Sequence, residues 1–495
     1  MEKVLIGWAE ESLVPNKKVS LAGQFYERIS DHVETDITAT AMAIEGNGQK
    51  AIIISCDVTS ITASLAEEIR KKFAELTDEV DSKYIIFGAT HTHTSIKYGV
   101  GGGFSPAVKI LNEFLPADKQ YTKFVEADDT VMGLEEAQEH LATRIATAAK
   151  KAWDNRKGAM YKNAFGRAAI GFCRRVCYND GSAQMWGDTN TGAFTALEGG
   201  NDSGIELLYI YDDNKKLTGI VANIACPSQI LEQRSFISAD YWGEAKKLLR
   251  QKLGDDIYLL GMCGAGGDQC PRDLIRWVEP ETPIDDPNVS RPNPIDRTAD
   301  PSMYDLSGCR LAGKRIANEI YSVYEEIDEN TITSDIPFEH KAMIFDLPLR
   351  KATISQYKEA VREIEHYVEK NKNQAEFNFK DSAAMHVYAG TINRFRQQQT
   401  KEIVPTEVHI LRFGDVAIAT NPFELFLDFG NYIKARSFAK QTFIMQLTCN
   451  ALGYLPTEKA EKGGHYSAYI SSGNVGHEGG DLLARRSVTE INEMF

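Results

Sequence analysis

The chain has 495 residues, 43% of them hydrophobic and 25% charged, and its formal net charge is −15. This composition is ordinary for a globular protein, and the length allows one large core or several smaller ones. The negative charge argues against nucleic acid or an anionic membrane surface as the main partner, because both bind basic surfaces.

No stretch reaches the 18 or so consecutive apolar residues of a membrane-spanning helix, so no membrane anchor is expected. The N-terminus has no apolar signal-peptide core and leads directly into strand-like sequence. The eight cysteines are scattered through the chain, which favours reduced thiols and a cytoplasmic location over a disulfide scaffold. A homo-oligomer is compatible with this composition.

Strand-like and helix-like segments alternate along the chain, which predicts an α/β fold. We expect one large domain over 1–495, built from mixed β-sheets flanked by helices, and no internal repeat is visible. Apolar periodicity and turn residues predict the elements in chain order. They are a hairpin over 39–45 and 51–56, a helix over 63–76, a strand over 84–87, a helix over 134–154, a hairpin over 205–211 and 217–225, a helix over 241–253, a strand over 256–262, helices over 307–327, 354–371 and 382–397, a hairpin over 407–413 and 415–420, a helix over 423–437, a strand over 441–448 and a helix over 480–494.

Two long irregular stretches interrupt this pattern. Residues 98–130 contain three consecutive glycines, and residues 271–305 contain seven of the 16 prolines. Loops of this length inside a compact domain are usually either functional or disordered. Each begins just after a strand that carries candidate site residues, so we interpret both as walls or lids of a cleft. The alternative is that both stretches are surface loops with no role in a site.

The most informative motif follows the strand over 84–87, where residues 88–95 read GATHTHTS. His91 and His93 stand where a strand ends and a loop begins, which is where open α/β sheets bind ligands. Extended backbone would direct both rings to the same side. Neutral imidazole is a frequent zinc ligand and a general base near pH 7. The motif therefore favours a metal or catalytic site, with an ordinary polar loop as the alternative.

A glycine-rich turn follows the strand over 256–262, where residues 263–273 read CGAGGDQCPRD. Glycines such as Gly266 and Gly267 permit close approach of the backbone to a ligand, and backbone N–H groups bind anions or a developing oxyanion. The turn lacks the Gly-Lys-Ser/Thr ending of a phosphate-binding loop. A plain tight turn is the alternative.

Three further strand ends carry groups that can hold a metal. Cys226, Glu424 and Tyr454 follow the strands over 217–225, 415–420 and 441–448. Each also has an ordinary explanation. Cys226 can be a small buried hydrophobic residue, and Glu424 can be a glutamate that complements the dipole in the first turn of a helix. Tyr454 can be a tyrosine that only packs in the core. Together with the two motifs above, they indicate that polar chemistry collects at one edge of the fold.

These residues, in this order, resemble the neutral (alkaline, non-lysosomal) ceramidases. The loop from 88 to 102 resembles the signature loop of that family, and residues 267–271 stand where the family has Gly-Asp-Val-Ser-Pro. The resemblance continues through residues 21–24, 55–57 and 237–240 and covers nearly the whole chain. It implies a zinc amidase that holds one Zn²⁺ in an α/β catalytic domain and hydrolyses an N-acyl bond.

The resemblance also implies a set of site residues. The expected metal ligands are His91, Cys226, Glu424 and Tyr454, with Cys226 in the place of a family histidine. Thiolate is a good zinc ligand, so the site can survive this replacement; alternatively, Cys226 does not ligate. The expected catalytic residues are His93, Tyr466 and Cys270, the last in the place of a family serine. The chain ends about 30 residues after Tyr466, which implies the catalytic part without the C-terminal β-sandwich domain.

We therefore expect metal-dependent hydrolysis of an amide in a small soluble compound rather than in membrane ceramide. Zinc, or another divalent metal, would lower the pKa of a bound water towards about 7. His93 would act as acid and base or hold the carbonyl oxygen, and Tyr466 and the turn with Gly266 and Gly267 would stabilise the oxyanion.

Further candidates for substrate contact are Asp268, Arg174 and Arg175, since a guanidinium suits a carboxylate or phosphate. A solvated surface pair is the favoured alternative for the two arginines. Two other functions stay open. One is a metal-dependent lyase or hydrolase acting on an acidic sugar, which the aromatic residues of the long loops favour. The other is a ligand-binding protein without activity, which the replaced histidine and serine favour.

Overall fold

The structure is a computed structural model that describes residues 3–99, 106–122, 129–276 and 305–495. Its α-helices are α1 (Ala63–Leu76), α2 (Pro106–Phe114), α3 (Leu134–Asp154), α4 (Tyr241–Leu253), α5 (Leu306–Glu325), α6 (Ile354–Lys370), α7 (Phe379–Gln397), α8 (Leu427–Arg436), α9 (Glu458–Gly463) and α10 (His477–Asn492).

The strands are β1 (Leu5–Ser12), β2 (Lys18–Val19), β3 (Thr38–Gly46), β4 (Gln49–Cys56), β5 (Ile85–Ala89), β6 (Val131–Met132), β7 (Lys157–Arg167), β8 (Phe172–Cys173), β9 (Arg175–Tyr178), β10 (Ala183–Met185), β11 (Phe194–Leu197), β12 (Gly204–Asp212), β13 (Leu217–Ile224), β14 (Tyr258–Cys263), β15 (Gln269–Cys270), β16 (Phe338–Pro348), β17 (Ile403–Phe413), β18 (Val416–Thr420), β19 (Glu424–Leu425), β20 (Gln441–Met445) and β21 (Tyr454–Leu455).

Two mixed sheets form the centre of the fold. The larger has eight strands in the order β14-β13-β12-β7-β1-β3-β4-β5, and the smaller has four in the order β16-β17-β18-β20. Their inner faces pack together through side chains such as Trp8, Ile53, Phe413, Ile418 and Phe443. Because strands between two packed layers are buried on both faces, they read as continuous apolar runs. Mixed sheets flanked by helices are the predicted fold class, which is confirmed.

Helices cover the outer faces of both sheets. On the larger sheet, α1 and α3 cover one half and α4 and α5 the other. On the smaller sheet, α8 and α10 form the cover. A further apolar cluster joins α2, α6 and α7. No helix of the described residues is both long enough and apolar enough to span a bilayer.

One unit of secondary structure occurs three times. Three successive antiparallel strands are followed by a helix and by a fourth strand parallel to the third. The units are β1-β3-β4-α1-β5, β7-β12-β13-α4-β14 and β16-β17-β18-α8-β20. The third strands are β4, β13 and β18, and the loops that leave them contain Asp57, Cys226 and Glu424.

The predicted helices over 63–76, 134–154 and 241–253 are confirmed to the residue. Local signals explain this agreement. The Thr62 side chain caps α1 by accepting from Leu65 N, and α4 ends at Gly254, whose φ of +106° favours glycine.

The predicted helix over 423–437 is wrong at its start. Glu424 lies in the short strand β19, and α8 begins only at Leu427. The N–H groups of Glu424 and Phe426 donate to the carbonyl oxygens of Gly453 and Leu455, so pairing with β21 replaces the first helical turn.

The two irregular stretches are only partly described. Within 98–130, α2 packs against α7, whereas 100–105 and 123–128 lie outside the described residues, as does 277–304 in the second stretch. Their predicted roles as walls or lids of a cleft stay predictions.

A buried ion pair ties α4 to β3 and β4. Lys246 Nζ donates to Asp57 Oδ2 at 3.1 Å and to Thr38 Oγ1 at 2.6 Å, and both charged residues are buried. Asp57 also accepts from Thr90 Oγ1 at 3.2 Å. Since Thr90 precedes His91, the pair also anchors the histidine loop.

Replacing Asp57 by alanine leaves the Lys246 ammonium buried with only Glu10, 3.7 Å away, as a carboxylate partner. We expect Asp57→Ala to lower the free energy of unfolding by about 3 kcal/mol, measured by denaturant unfolding. The control is Asp213→Ala, which removes the partner of Lys3 in an exposed pair and should cost less than about 1 kcal/mol. Equal losses in the two variants would contradict a special role for the buried pair.

Candidate active site

His91 lies just after β5 in a left-handed backbone conformation, with φ of +67°. Its Nδ1 is 2.5 Å from the carbonyl oxygen of Thr59. Because a carbonyl only accepts, Nδ1 carries the proton and Nε2 presents a lone pair. This Nε2 is 3.5 Å from Glu424 Oε2 and 3.3 Å from His93 Nε2. Burial, with a contribution from His93, lowers the pKa of His91 to about 3, so the ring is neutral at pH 7.

Glu424 and Tyr454 are neighbours because β19 and β21 pair in parallel. The Tyr454 hydroxyl donates to the Tyr466 hydroxyl at 3.4 Å. Burial raises the pKa of both Glu424 and Tyr454. Tyr466 packs edge-on against Tyr454 and is 39% exposed, so it forms the outer wall of the site.

Arg174 supplies a buried positive charge beside these groups. It lies between β8 and β9, and the pairing of β8 with β15 brings it to the glycine-rich turn. Its Nη2 donates to Gly267 O at 3.0 Å and to Tyr454 Oη at 3.3 Å. Its Nε is buried without a hydrogen-bond partner among the described residues. The predicted alternative of a solvated surface arginine is therefore wrong for Arg174.

Arg175 is also buried, but it faces the protein. It forms a two-pronged ion pair with Glu198 at 2.5 and 3.0 Å and donates to the carbonyl oxygens of Tyr466, Ala460 and Gly464. The predicted alternative of a solvated surface arginine is therefore wrong for Arg175 as well. Because these acceptors occupy the guanidinium, Arg175 holds the loop that carries Tyr466 rather than offering donors for the predicted substrate contact.

Cys226 is directed away from the site. Its Sγ lies 3.6 Å from Ile170 O and 3.5 Å from Pro227 O, in the core beneath α4 and α5. Among the described residues, it forms no cluster with His91 and Glu424 in which the ligand atoms lie within 4.8 Å of one another. The geometry favours the alternative in which Cys226 does not ligate.

The remaining donors fit a metal. A neutral imidazole nitrogen, a carboxylate and a phenol converge, and the carbonyl of Thr59 holds the second nitrogen of His91 as the outer partners of metal-bound histidines do. Three protein ligands with an open position are the arrangement of catalytic zinc sites. His91, Glu424 and Tyr454 therefore form the candidate ligand set.

The glycine-rich turn packs rather than offering free donors. The N–H groups of Gly264, Gly266 and Gly267 donate to Ile224 O, Gln446 Oε1 and Leu425 O. A Cβ atom at Gly267 would lie 2.3 Å from the carbonyl oxygen of Glu424. The predicted substrate contacts of Gly266 and Gly267 through their N–H groups are thus not available, because the glycines serve the close approach of the turn to β19.

Asp268 and Cys270 are buried in the same turn. Asp268 Oδ1 accepts from Leu427 N at 2.9 Å, at the first residue of α8, so its carboxylate positions that helix. Burial raises the pKa of the Cys270 thiol to about 12. A protonated thiol is a poor nucleophile, which argues against the predicted catalytic role of Cys270.

Some of the predicted site residues border a cavity of about 270 Å³. Its wall includes His93, Arg174, Tyr454 and Tyr466 from the prediction, together with residues that the motifs did not single out for the site: Gly23, Gln24, Phe25, Met185, Trp186, Gln229, Glu232 and His465. Of these, Glu232 places Oε2 3.3 Å from His93 Nδ1. No motif surrounds Glu232, so only its position after Cys226-Pro227-Ser228-Gln229 could have drawn attention to it.

The buried carboxyl of Asp268 gives a pH-dependent prediction. Burial raises its pKa from 3.8 to about 6, so its contribution to stability is present below about pH 4 and lost as pH rises through 6. Asparagine keeps the acceptor for Leu427 N without ionising. We expect Asp268→Asn to gain stability relative to the wild type between pH 4 and 6, on the order of 2 kcal/mol, measured by denaturant unfolding at several pH values. A difference that does not change with pH would contradict this.

No protein-family model matches the chain, and no curated protein sequence matches it either. Among solved structures, neutral ceramidase from Pseudomonas aeruginosa is similar, with a TM-score of 0.64, 13% identity, and coverage of 100% of this chain and 75% of that one. A ceramidase complexed with C2 gives a TM-score of 0.65 with the same identity and coverage. The resemblance read from the motifs is thereby confirmed at the level of the fold: the described chain is folded as neutral ceramidases are.

Proposed function

We propose that the protein is a metal-dependent hydrolase that cleaves an amide bond in a small substrate. The observation that carries this proposal is the lone pair of His91 Nε2, 3.5 Å from Glu424 Oε2, with Tyr454 paired beside Glu424. Its setting in the fold of a ceramidase supports the choice of an amide.

His91, Glu424 and Tyr454 would hold the metal. When bound, it would polarise a carbonyl oxygen and lower the pKa of a water. Zinc suits this mixed nitrogen and oxygen set, and manganese is the alternative.

The residues around the ligands have distinct tasks. His93 lies between His91 and Glu232, where its ring can hold a proton and pass it to a leaving nitrogen. Arg174 is permanently charged and lines the cavity, where its guanidinium can attract a substrate oxygen. Tyr466 lines the cavity, and its hydroxyl, which accepts from Tyr454, can donate its own proton to the same developing charge.

The size of the cavity supports a compact substrate. The described walls enclose about 270 Å³, near the lower end of ligand pockets, which run from about 300 to 1,000 Å³.

All eight cysteines are free thiols, which supports a reducing, cytoplasmic setting.

The first experiment is metal analysis of purified wild type beside His91→Ala and Glu424→Ala. Each variant should contain one ion per chain fewer than the wild type, because each removes a ligand. His465→Ala is the matched control, since His465 lines the same cavity but is no proposed ligand. Equal metal content in all four proteins would overturn the proposed ligand set.

Activity is tested by amine release from N-acyl amino acids and N-acyl amino sugars. We expect His93→Ala to lower kcat by about 10²- to 10⁴-fold, the contribution typical of general acid–base catalysis, while keeping the metal content of the wild type. Loss of metal in His93→Ala would instead make His93 a ligand. Tight ligand binding without turnover in the wild type would favour a binding protein.

A second candidate is an enzyme that acts on an acidic sugar. The guanidinium groups of Arg174 and Arg272 lie 5.7 and 5.4 Å from the ring centre of Trp186. An aromatic face beside two cations suits a sugar ring that carries a carboxylate. An unsaturated product with new ultraviolet absorbance, without release of an amine, would favour this candidate.

A further inference from the structure

A second group of metal-binding side chains shares no residue with the proposed active site. Glu407 and His409 lie on β17, and Cys449 lies in the loop between β20 and β21. Their ligand atoms all lie within 4.8 Å of one another. His409 Nε2 is 2.8 Å from Glu407 Oε1 and 4.0 Å from Cys449 Sγ. Over the parts of the chain that the structure describes, this is the one such cluster of three histidine, cysteine or acidic residues.

His340 determines which nitrogen of His409 faces the group. The Nδ1 of His409 is 2.9 Å from His340 Nε2, and His340 Nδ1 is 3.0 Å from Lys50 O. The bond to His340 occupies Nδ1 of His409 and leaves Nε2 directed at Glu407 and Cys449. A ligating histidine whose other nitrogen is held by an outer partner is the usual arrangement in metal sites.

Arg70 orients the carboxylate in the same way. Its Nη1 donates to Glu407 Oε2 at 3.1 Å, and its Nη2 donates to Oε1 and lies 3.7 Å from Cys449 Sγ. The bond to Oε2 can persist while Oε1 binds an ion.

We propose that Glu407, His409 and Cys449 form a second metal site that takes a zinc-class divalent ion. Mixed oxygen, nitrogen and sulfur donors suit such ions, and three ligands leave one position for water. The partly exposed Glu407 side chain offers a route of entry.

The site would stabilise the loop between β20 and β21. Within it, Cys449 N donates to Phe87 O and Ala89 N donates to Leu447 O, while Leu447 and Cys449 both have left-handed φ values, of 56° and 58°. Strained backbone of this kind persists only where surrounding contacts fix it. An ion bound to β17 and Cys449 would add such a contact, beside β5, which leads to His91, and before β21, which begins with Tyr454.

The test uses Co²⁺ as the probe. Metal-free full-length protein is titrated with Co²⁺, and we expect a thiolate-to-cobalt charge-transfer band in the wild type. The band should be lost in Cys449→Ser and in His409→Gln. Cys226→Ser and Cys177→Ser are the matched controls and should keep it. Circular dichroism checks that each variant is folded, and the two loss variants make the result independent of either one folding.

Absence of the band in folded wild type overturns the proposal, and so does its persistence in folded Cys449→Ser. Loss in Cys226→Ser instead would assign the thiolate to the active site and also overturn it. His91→Ala separates the two proposals, because it removes an active-site ligand but should keep the band. Added Zn²⁺ should also raise the Tm of His91→Ala but not of the double variant with Cys449→Ser.

Discussion

The parallel pairing of β19 with β21 is the constraint on which the candidate site depends. It sets Glu424 beside Tyr454 and removes the first turn of a helix that local sequence would otherwise form. The Gln446 side chain reinforces the pairing, because its Oε1 accepts from both Leu425 N and Gly266 N. Glycine at position 267 also permits this pairing, because a Cβ atom there would collide with the backbone of Glu424. The glycine-rich turn is thus a packing element that supports the carboxylate.

Burial shifts the pKa of three groups around this pairing. It lowers the pKa of His91 and raises the pKa of Glu424 and Tyr454, so the surroundings favour a neutral set of donors. Arg174, beside Tyr454, partly opposes this. A divalent cation would reverse the preference, because a bound ion is the largest local charge and stabilises ionised ligands. If these residues hold the proposed metal, its binding and their deprotonation would be one equilibrium.

Sequence patterns predicted the elements whose signals are local. Helices such as 63–76 have regular apolar spacing and a capping side chain, whereas β7 and β16 were missed because their burial is irregular and several of their side chains are polar. The motifs brought His91, His93, Glu424, Tyr454 and Tyr466 to attention, but Thr59 and Glu232 meet the histidines only through tertiary packing. The orientations of Cys226 and Arg175 could not be predicted either, because a residue type does not reveal which way its side chain turns at a strand end. The threefold repetition was also invisible, since it persists in topology without recognisable sequence similarity.

That repetition has a consequence for how the chemistry is distributed. The loop after the third strand is the same architectural position in all three units, yet it carries a different specialisation each time. Asp57 neutralises a buried lysine, Cys226 fills the core, and Glu424 lies beside His91. The three units therefore share one strand topology, while the residues that follow the third strand differ in what they contact.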